Sequence, residues 1–354
     1  MCDFSRPISQ FHKDHVRLTR DQLADMHRRR ERNLDRINRG LDETNKPAFS
    51  ETINQGGYAQ RTMTQPPERD QDSRYDIDLG IVFEHDNAAG PRTTRNWVRD
   101  AIDRKATTLK NEPQTKKKCV RVVYATGYQC DFPVFRRRWS DSGWKYEISS
   151  GDEWIGSDPA AMNRWIEATV AANSPESSGS YQLRRIIRLG KFFSKTHSNR
   201  LSRKFPGGLV ATALFIEAYV SIDGRDDQAF RETLRILSNR SKYAPVYADG
   251  IEVSDDKDAD RIERLIRQAK ESVRELEKLD VGNPTVADAN KIWKTVFRHS
   301  FFDQETNDNA NRNSAAFVAS QAATALSDSE KQSRMDAAVS ARRESGGGGR
   351  PWSK

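Results

Sequence analysis

The stretch from Thr52 to Phe83 constrains this chain more than any other. It opens as Thr-Ile-Asn-Gln-Gly-Gly-Tyr and closes as Asp76-Ile77-Asp78-Leu79-Gly80-Ile81-Val82-Phe83, where carboxylates alternate with apolar residues before a β-branched and aromatic run. Period-two alternation is the pattern of a half-buried strand. Successive side chains on a strand leave by opposite faces, so Asp76 and Asp78 project from one face, about 7 Å apart along the backbone. Carboxylates placed like that either repel each other or hold cations between them. Just upstream, Gly56-Gly57 lets backbone N–H groups approach an anion that side chains would keep away. An anion cradle beside a dicarboxylate suits a magnesium–nucleoside triphosphate complex.

The Asp-x-Asp spacing alone decides little, because Asp70/Asp72, Asp256/Asp258 and Asp258/Asp260 share it. Those pairs sit in polar runs, where a solvated loop or helix start explains them. Asp76/Asp78 differs in being buttressed by a strand and in following a Gly-Gly turn at short range. A third carboxylate, Asp131, lies in Tyr128-Gln129-Cys130-Asp131-Phe132-Pro133-Val134-Phe135, another alternating strand. Motif and spacing thus favour a metal-dependent phosphoryl-transfer site, against a calcium-binding loop or an accidental surface pattern.

Gln55-Gly56-Gly57-Tyr58-Ala59-Gln60-Arg61-Thr62, Asp76-Ile77-Asp78-Leu79-Gly80 and Cys130-Asp131-Phe132-Pro133-Val134 together resemble the polymerase-β-type nucleotidyltransferases. Within that superfamily the chain is most similar to the bacterial CD-NTase family of cGAS/DncV-like enzymes. These make cyclic oligonucleotide second messengers in anti-phage defence. The resemblance covers roughly Leu23 to Phe302 and includes Trp293-Lys294-Thr295-Val296-Phe297. Many members carry Gly-Ser where this chain has Gly56-Gly57, so a serine hydroxyl to the triphosphate is missing.

The resemblance implies an α+β fold: a mixed-sheet nucleotidyltransferase core with its N-terminal helix over residues 1–156, and a helical domain over 157–302. It also implies attack of a ribose hydroxyl on the α-phosphate of ATP or GTP, with two Mg²⁺ (or Mn²⁺) ions held by Asp76, Asp78 and Asp131. Gln55, Gly56, Gly57 and Tyr58 would line the nucleotide site, with Lys191 on the donor phosphates and Lys195 second. A linear oligonucleotide synthetase or an RNA-terminal nucleotidyltransferase is the alternative.

Composition narrows the rest. The chain has 354 residues, long enough for two packed domains, and 31% of them are charged. No apolar run approaches the ~20 residues of a membrane span. Met1-Cys2-Asp3-Phe4-Ser5 lacks the basic then apolar pattern of a secretory signal, so a cytoplasmic bacterial protein is expected. Three cysteines, Cys2, Cys119 and Cys130, are too few and too scattered for a disulfide framework or a Cys-rich zinc site. A net charge of +8 serves triphosphate substrates as well as nucleic acid, and activation by nucleic acid is not expected.

Along the chain, Thr19-Arg20-Asp21-Gln22 has capping-box spacing, and Leu23, Met26, Leu34, Ile37 and Leu41 follow at helical intervals. Gly40 and Pro47 are expected to close that helix, and Arg28-Arg29-Arg30 to form a solvated face. After the Asp76 strand, Gly90-Pro91 turns the chain, and Trp97, Val98, Ala101, Ile102 and Leu109 mark a helix over the sheet. Cys119 to Tyr124 reads as a strand joined through Thr126-Gly127 to the Asp131 strand, and Trp144 to Ile148 as one more; β patterning then stops. Asp158-Pro159 is read as an N-cap with proline at the first helical position.

In the helix from about Ser180 to Thr196, Leu183, Ile186, Ile187 and Phe193 form the buried stripe. Arg184, Arg188, Lys191 and Lys195 recur on another face. Helices follow near 208–222, 227–239, 258–279 and 285–302, and His197 and His299 are expected at the surface. Beyond Asp303 the apolar content falls too low for a core, so residues 303–354 are read as a flexible tail. Such a tail is either inert or a docking segment; Trp352 beyond the glycine linker points to docking, and the resemblance implies a regulatory protein of the defence operon as the partner.

Overall fold

The computed structural model describes residues 3–68 and 76–303. The first helix, α1 (Ser5–Phe11), runs on into one wide turn ending at Val16. Helix α2 (Arg20–Glu43) starts at the expected capping box: Thr19 Oγ1 accepts from Gln22 N–H, and Gln22 Oε1 accepts from Thr19 N–H. Such a cap contributes about 1 kcal/mol. Strand β1 (Glu51–Gln55) leads into the single turn α3 (Gly56–Ala59), and β2 is Asp76–Glu84. Helix α4 (Pro91–Lys105) precedes β3 (Gln114–Thr115), β4 (Cys119–Val123), β5 (Gln129–Ser140), β6 (Gly143–Ser150) and β7 (Glu153–Gly156).

The strands form a mixed sheet in the order β1-β2-β5-β4-β3, with β6 on the far half of β5 and β7 on β6. Among the described residues only the β2–β5 pairing is parallel, and its register sets Asp78 beside Asp131. Strand parity divides the chemistry. Ile77, Leu79, Ile81 and Phe83 of β2, with Cys130, Phe132 and Val134 of β5, face Leu34, Ile37 and Leu41 of α2 and Val98, Ala101 and Ile102 of α4. The alternate positions, Asp76, Asp78 and Asp131, are left for the opposite face. Each fully buried Leu, Ile or Phe in this layer contributes ~1.5–3 kcal/mol.

Helices α5 (Ala161–Asn173), α6 (Gln182–Leu201), α7 (Gly208–Glu217) and α8 (Asp226–Ser238) follow. A two-stranded ribbon, β8 (Tyr247–Ala248) and β9 (Ile251–Glu252), then precedes α9 (Ala259–Glu277) and α10 (Val286–Phe297). These helices enclose a second core around Leu183, Ile187, Phe193, Phe230, Trp293 and Phe297. Among the described residues no helix is long and apolar enough to cross a membrane.

Several local expectations are corrected. Gly40 lies inside α2 and does not end it; a methyl carbon there would sit 2.5 Å from Ala101 Cα, so the glycine permits the close crossing with α4. Phe4, Ile8, Phe11 and Val16, counted by sequence with the sheet half, pack into the helical core, where Phe11 touches Phe297 at 4.8 Å between ring centroids. Strand β7 lies beyond Ile148, where the sequence pattern predicts no further strand. Helix α5 starts at Ala161, and Asp158 caps the preceding turn by accepting from Ala160 N–H at 3.0 Å.

Arg28 is solvated, but Arg29 pairs with Asp25 at 2.6 Å and stacks on Tyr128, and Arg30 donates to Asn54 and Thr52 of β1. His197 and His299 are buried, the first with Nε2 2.8 Å from the Val296 carbonyl and the second against Phe11. Asp70/Asp72 and all of the tail except Asp303 lie outside the described residues.

Candidate active site

Asp76, Asp78 and Asp131 converge, with one carboxylate oxygen of each within 4.8 Å of the others. The cluster is graded: Asp76 exposed, Asp78 half-buried, Asp131 buried. Crowding and desolvation act on it together. Asp78 is pushed up to about 7 by its desolvated position and then by the charges of Asp76 and Asp131; Lys191 and Arg121 pull the other way. Asp76 is raised by desolvation and by Asp131, with the Gln129 amide opposing. Carboxylates that resist being charged together are suited to a divalent cation.

A cleft of about 920 Å³ opens over this cluster, lined by Gln55, Gly56, Gly57, Asp76, Asp78, Lys191 and Lys195 among others. Gly56 has φ +60°, and a methyl carbon there would collide with Asp78 Oδ2. Its missing side chain therefore makes room for a carboxylate of the cluster. At Gly57 a methyl carbon would lie 3.0 Å from Met63 Cγ and 3.4 Å from Lys191 Nζ, which brings the α6 cation directly over the glycine turn.

Lys191 Nζ donates to Thr62 Oγ1 at 3.3 Å. Its ammonium is lowered to about 8, chiefly by desolvation and then by Lys195, with Asp78 opposing. The other two members of the cationic row serve packing: Arg184 pairs with Glu167 at 2.6 Å, and Arg188 donates to the Arg61 carbonyl at 2.7 Å. The N-terminal turn of α7 also borders the cleft through Gly208 and Leu209, where unpaired helix N–H groups favour anions.

Tyr58 is not in the cleft wall and packs against the sheet core, whereas Gln55 lines the cleft with its amide committed to the Pro159 carbonyl at 2.9 Å. Sequence reasoning missed Ser194 and Ser198, which share the cleft with Lys191 and Lys195. Their i, i+4 spacing on the same helix face was the available signal. It also missed Arg121, whose fork grips Asp131 with distances of 2.9 and 2.6 Å.

The site is therefore a carboxylate triad on one face of a mixed sheet, beside a glycine turn and facing Lys191 of α6. Residues 50–135 match the family described as the nucleotidyltransferase domain of cyclic GMP-AMP synthase DncV-like proteins. Solved structures share the fold. Vibrio cholerae DncV, a cyclic AMP-GMP synthase, aligns with TM-score 0.64 and 13% identity over 84% of this chain and 96% of its own. CdnC of E. coli MS115-1, in complex with HORMA-deltaN, gives 0.61 and 14% over 84% and 98%. The Bradyrhizobium diazoefficiens CD-NTase CdnG, in complex with GTP, gives 0.62 and 15% over 85% and 98%. Residues 50–135 thus match a DncV-like nucleotidyltransferase domain, and the chain shares the fold of these solved CD-NTases.

Proposed function

We propose that this chain is a metal-dependent nucleotidyltransferase that joins ATP, GTP or both into a cyclic oligonucleotide second messenger, a cyclic di- or trinucleotide, for anti-phage defence in the cytoplasm. The observation that carries this reading is the convergence of Asp76, Asp78 and Asp131 within 4.8 Å beneath a cleft walled by the Gly56-Gly57 turn and Lys191. The three aspartates would hold Mg²⁺ or Mn²⁺ ions, two by family resemblance, which lower the pKa of the attacking hydroxyl and neutralise the departing pyrophosphate.

The chain's own residues do the rest. Lys191 places a compact cation where negative charge accumulates on the donor triphosphate, and Lys195 supports it one turn away. Gly56 and Gly57 bring backbone close to the phosphates, and the α7 N-terminus adds its dipole. The acceptor's ribose oxygen bonds to the α-phosphorus as the bond to the β-phosphate oxygen breaks. Pyrophosphate leaves with that electron pair, and the hydroxyl proton passes to solvent. The same displacement, repeated within the linear product, closes the ring. A 920 Å³ cleft is at the top of the roughly 300–1,000 Å³ range for small-molecule sites, which suits donor and acceptor together.

CdnC is seen with a HORMA protein. For this chain, a regulator supplied by the defence operon is proposed to dock on residues 303–354, with no role for nucleic acid as activator. The test is incubation of the purified protein with all four α-labelled triphosphates and Mg²⁺ or Mn²⁺, followed by phosphatase. A labelled product that resists phosphatase is expected. A product that loses its terminal phosphates would move the reading to a linear oligonucleotide synthetase, and no transfer at all would overturn it.

A further inference from the structure

Strands β4 and β5 are antiparallel, and their register sets Arg121 directly across from Asp131. Arg121 Nε donates to Oδ1 at 2.9 Å and a terminal nitrogen donates to Oδ2 at 2.6 Å. Both carboxylate oxygens are therefore engaged by one planar fork, the strongest form of this pairing. The other two carboxylates are treated differently. Asp76 accepts from the Gln129 amide at 3.2 Å, and among the described residues no ion pair reaches Asp76 or Asp78. The cluster is thus divided into two open, crowded carboxylates and one that is capped.

The two members of the capping pair differ in freedom. The Arg121 side chain is 39% exposed, whereas that of Asp131 is 11% exposed. Asp131 is fixed on a central strand between β2 and β4, while the guanidinium can retract toward solvent. A cation bound by all three aspartates would need an Asp131 oxygen, and Arg121 engages both of them. A guanidinium and a divalent cation both need the same two oxygens, and each repels the other.

We propose that Arg121 is a resident counter-ion that competes with the divalent cation for Asp131. The Asp76/Asp78 pair takes an ion first, and Asp131 joins only when Arg121 has withdrawn. Arg121 thereby aims the third carboxylate while keeping the site from filling completely. This inference rests on the metal-site reading above and adds to it a difference in affinity between two ion positions.

The experiment measures free Mn²⁺ by EPR at pH 8 against full-length wild type, Arg121→Met, and Asp76→Asn with Asp78→Asn, all without nucleotide. In wild type, one ion should bind more tightly than the second, and the double aspartate variant should lose the tight one. In Arg121→Met the second ion should bind roughly ten-fold more tightly, since a charge-assisted fork no longer has to be broken. The melting temperature should also rise more with Mn²⁺ in Arg121→Met than in wild type, because added ligand affinity appears as added stability.

Arg121→Lys keeps the charge and loses the fork, so its second-ion affinity should fall between the two; it carries the test if the methionine variant does not fold. Wild-type Mn²⁺ binding with an unchanged or weaker second ion in the Arg121 variants overturns the counter-ion role alone. Wild-type protein that binds no Mn²⁺ overturns the metal site and this inference together.

Discussion

Two groups of neighbouring aspartates in this molecule are handled in different ways. In the helical half, Asp226 and Asp227 are almost completely buried, and each is answered. Arg185 reaches Asp226 at 2.6 Å and Glu176 at 2.7 Å, Arg225 reaches Asp227 at 2.8 Å, and the Phe4 N–H donates to Asp227 at 3.1 Å. In the sheet half, Asp76, Asp78 and Asp131 are placed against one another, Arg121 answers only Asp131, and Asp78 is pushed up to about 7. Charge matched by charge fixes a helix and a chain terminus in position. Charge left against like charge stores an affinity for something that is not part of the chain.

That contrast can be broken by mutation. Asp76→Asn with Asp78→Asn should reduce incorporation of labelled nucleotide at least about a thousand-fold, because charge neutralisation at the reacting phosphate is lost. The same variant should melt at a higher temperature than wild type in metal-free buffer at pH 8, since like charges have been removed. Unchanged turnover would end the assignment. Asp226→Asn should do the reverse. It leaves Arg185 without its buried partner and should lower stability by about 3 kcal/mol, read as a shift of the urea midpoint. Activity per folded molecule should be unaffected.

Two smaller effects sharpen the comparison. Lys191→Ala should lower kcat/KM for the triphosphate roughly ten- to a hundred-fold, with Lys195→Ala as the reference one turn away. Steady-state kinetics equal to wild type would return that helix face to ordinary surface. The smallest effect is a pH dependence. The folded value of Asp78, about 7, lies above its ordinary 3.8, so the folded state holds the proton more tightly. Its contribution to stability is full below about pH 4, is lost as pH rises through about 7, and is flat beyond. The difference in urea midpoints between wild type and Asp78→Asn, measured without metal from pH 4 to 8, should follow that curve and flatten when Mn²⁺ is added.

The sheet was legible because its two faces make different demands. Alternation of Asp76, Ile77, Asp78 and Leu79 reports directly which side meets α2 and α4, and the same parity places Asp131. Helix α6 was legible for a similar reason, its apolar stripe and cationic row being separate. What stayed hidden depends on contacts between distant segments. Gly40 looks like a helix stop until Ala101 is packed on it, and nothing local announces that Phe4 and Phe11 join Phe297 across the chain. His197 and His299 are polar residues buried by partners far away in sequence. Arg121 was overlooked because a single arginine in an apolar strand is informative only once the facing strand is in register.

The glycine turn also sets what a saturation library at these two codons would return. At position 56 every other residue type adds a carbon that meets Asp78, on a backbone whose positive φ already disfavours side chains, so the surviving clones should all read glycine. Position 57 is more permissive, because its neighbours are the ends of a methionine and a lysine, which can give way by a few tenths of an ångström. Serine is the instructive survivor there. It would set a hydroxyl within reach of Lys191. Two adjacent glycines, identical on paper, would carry opposite mutational histories.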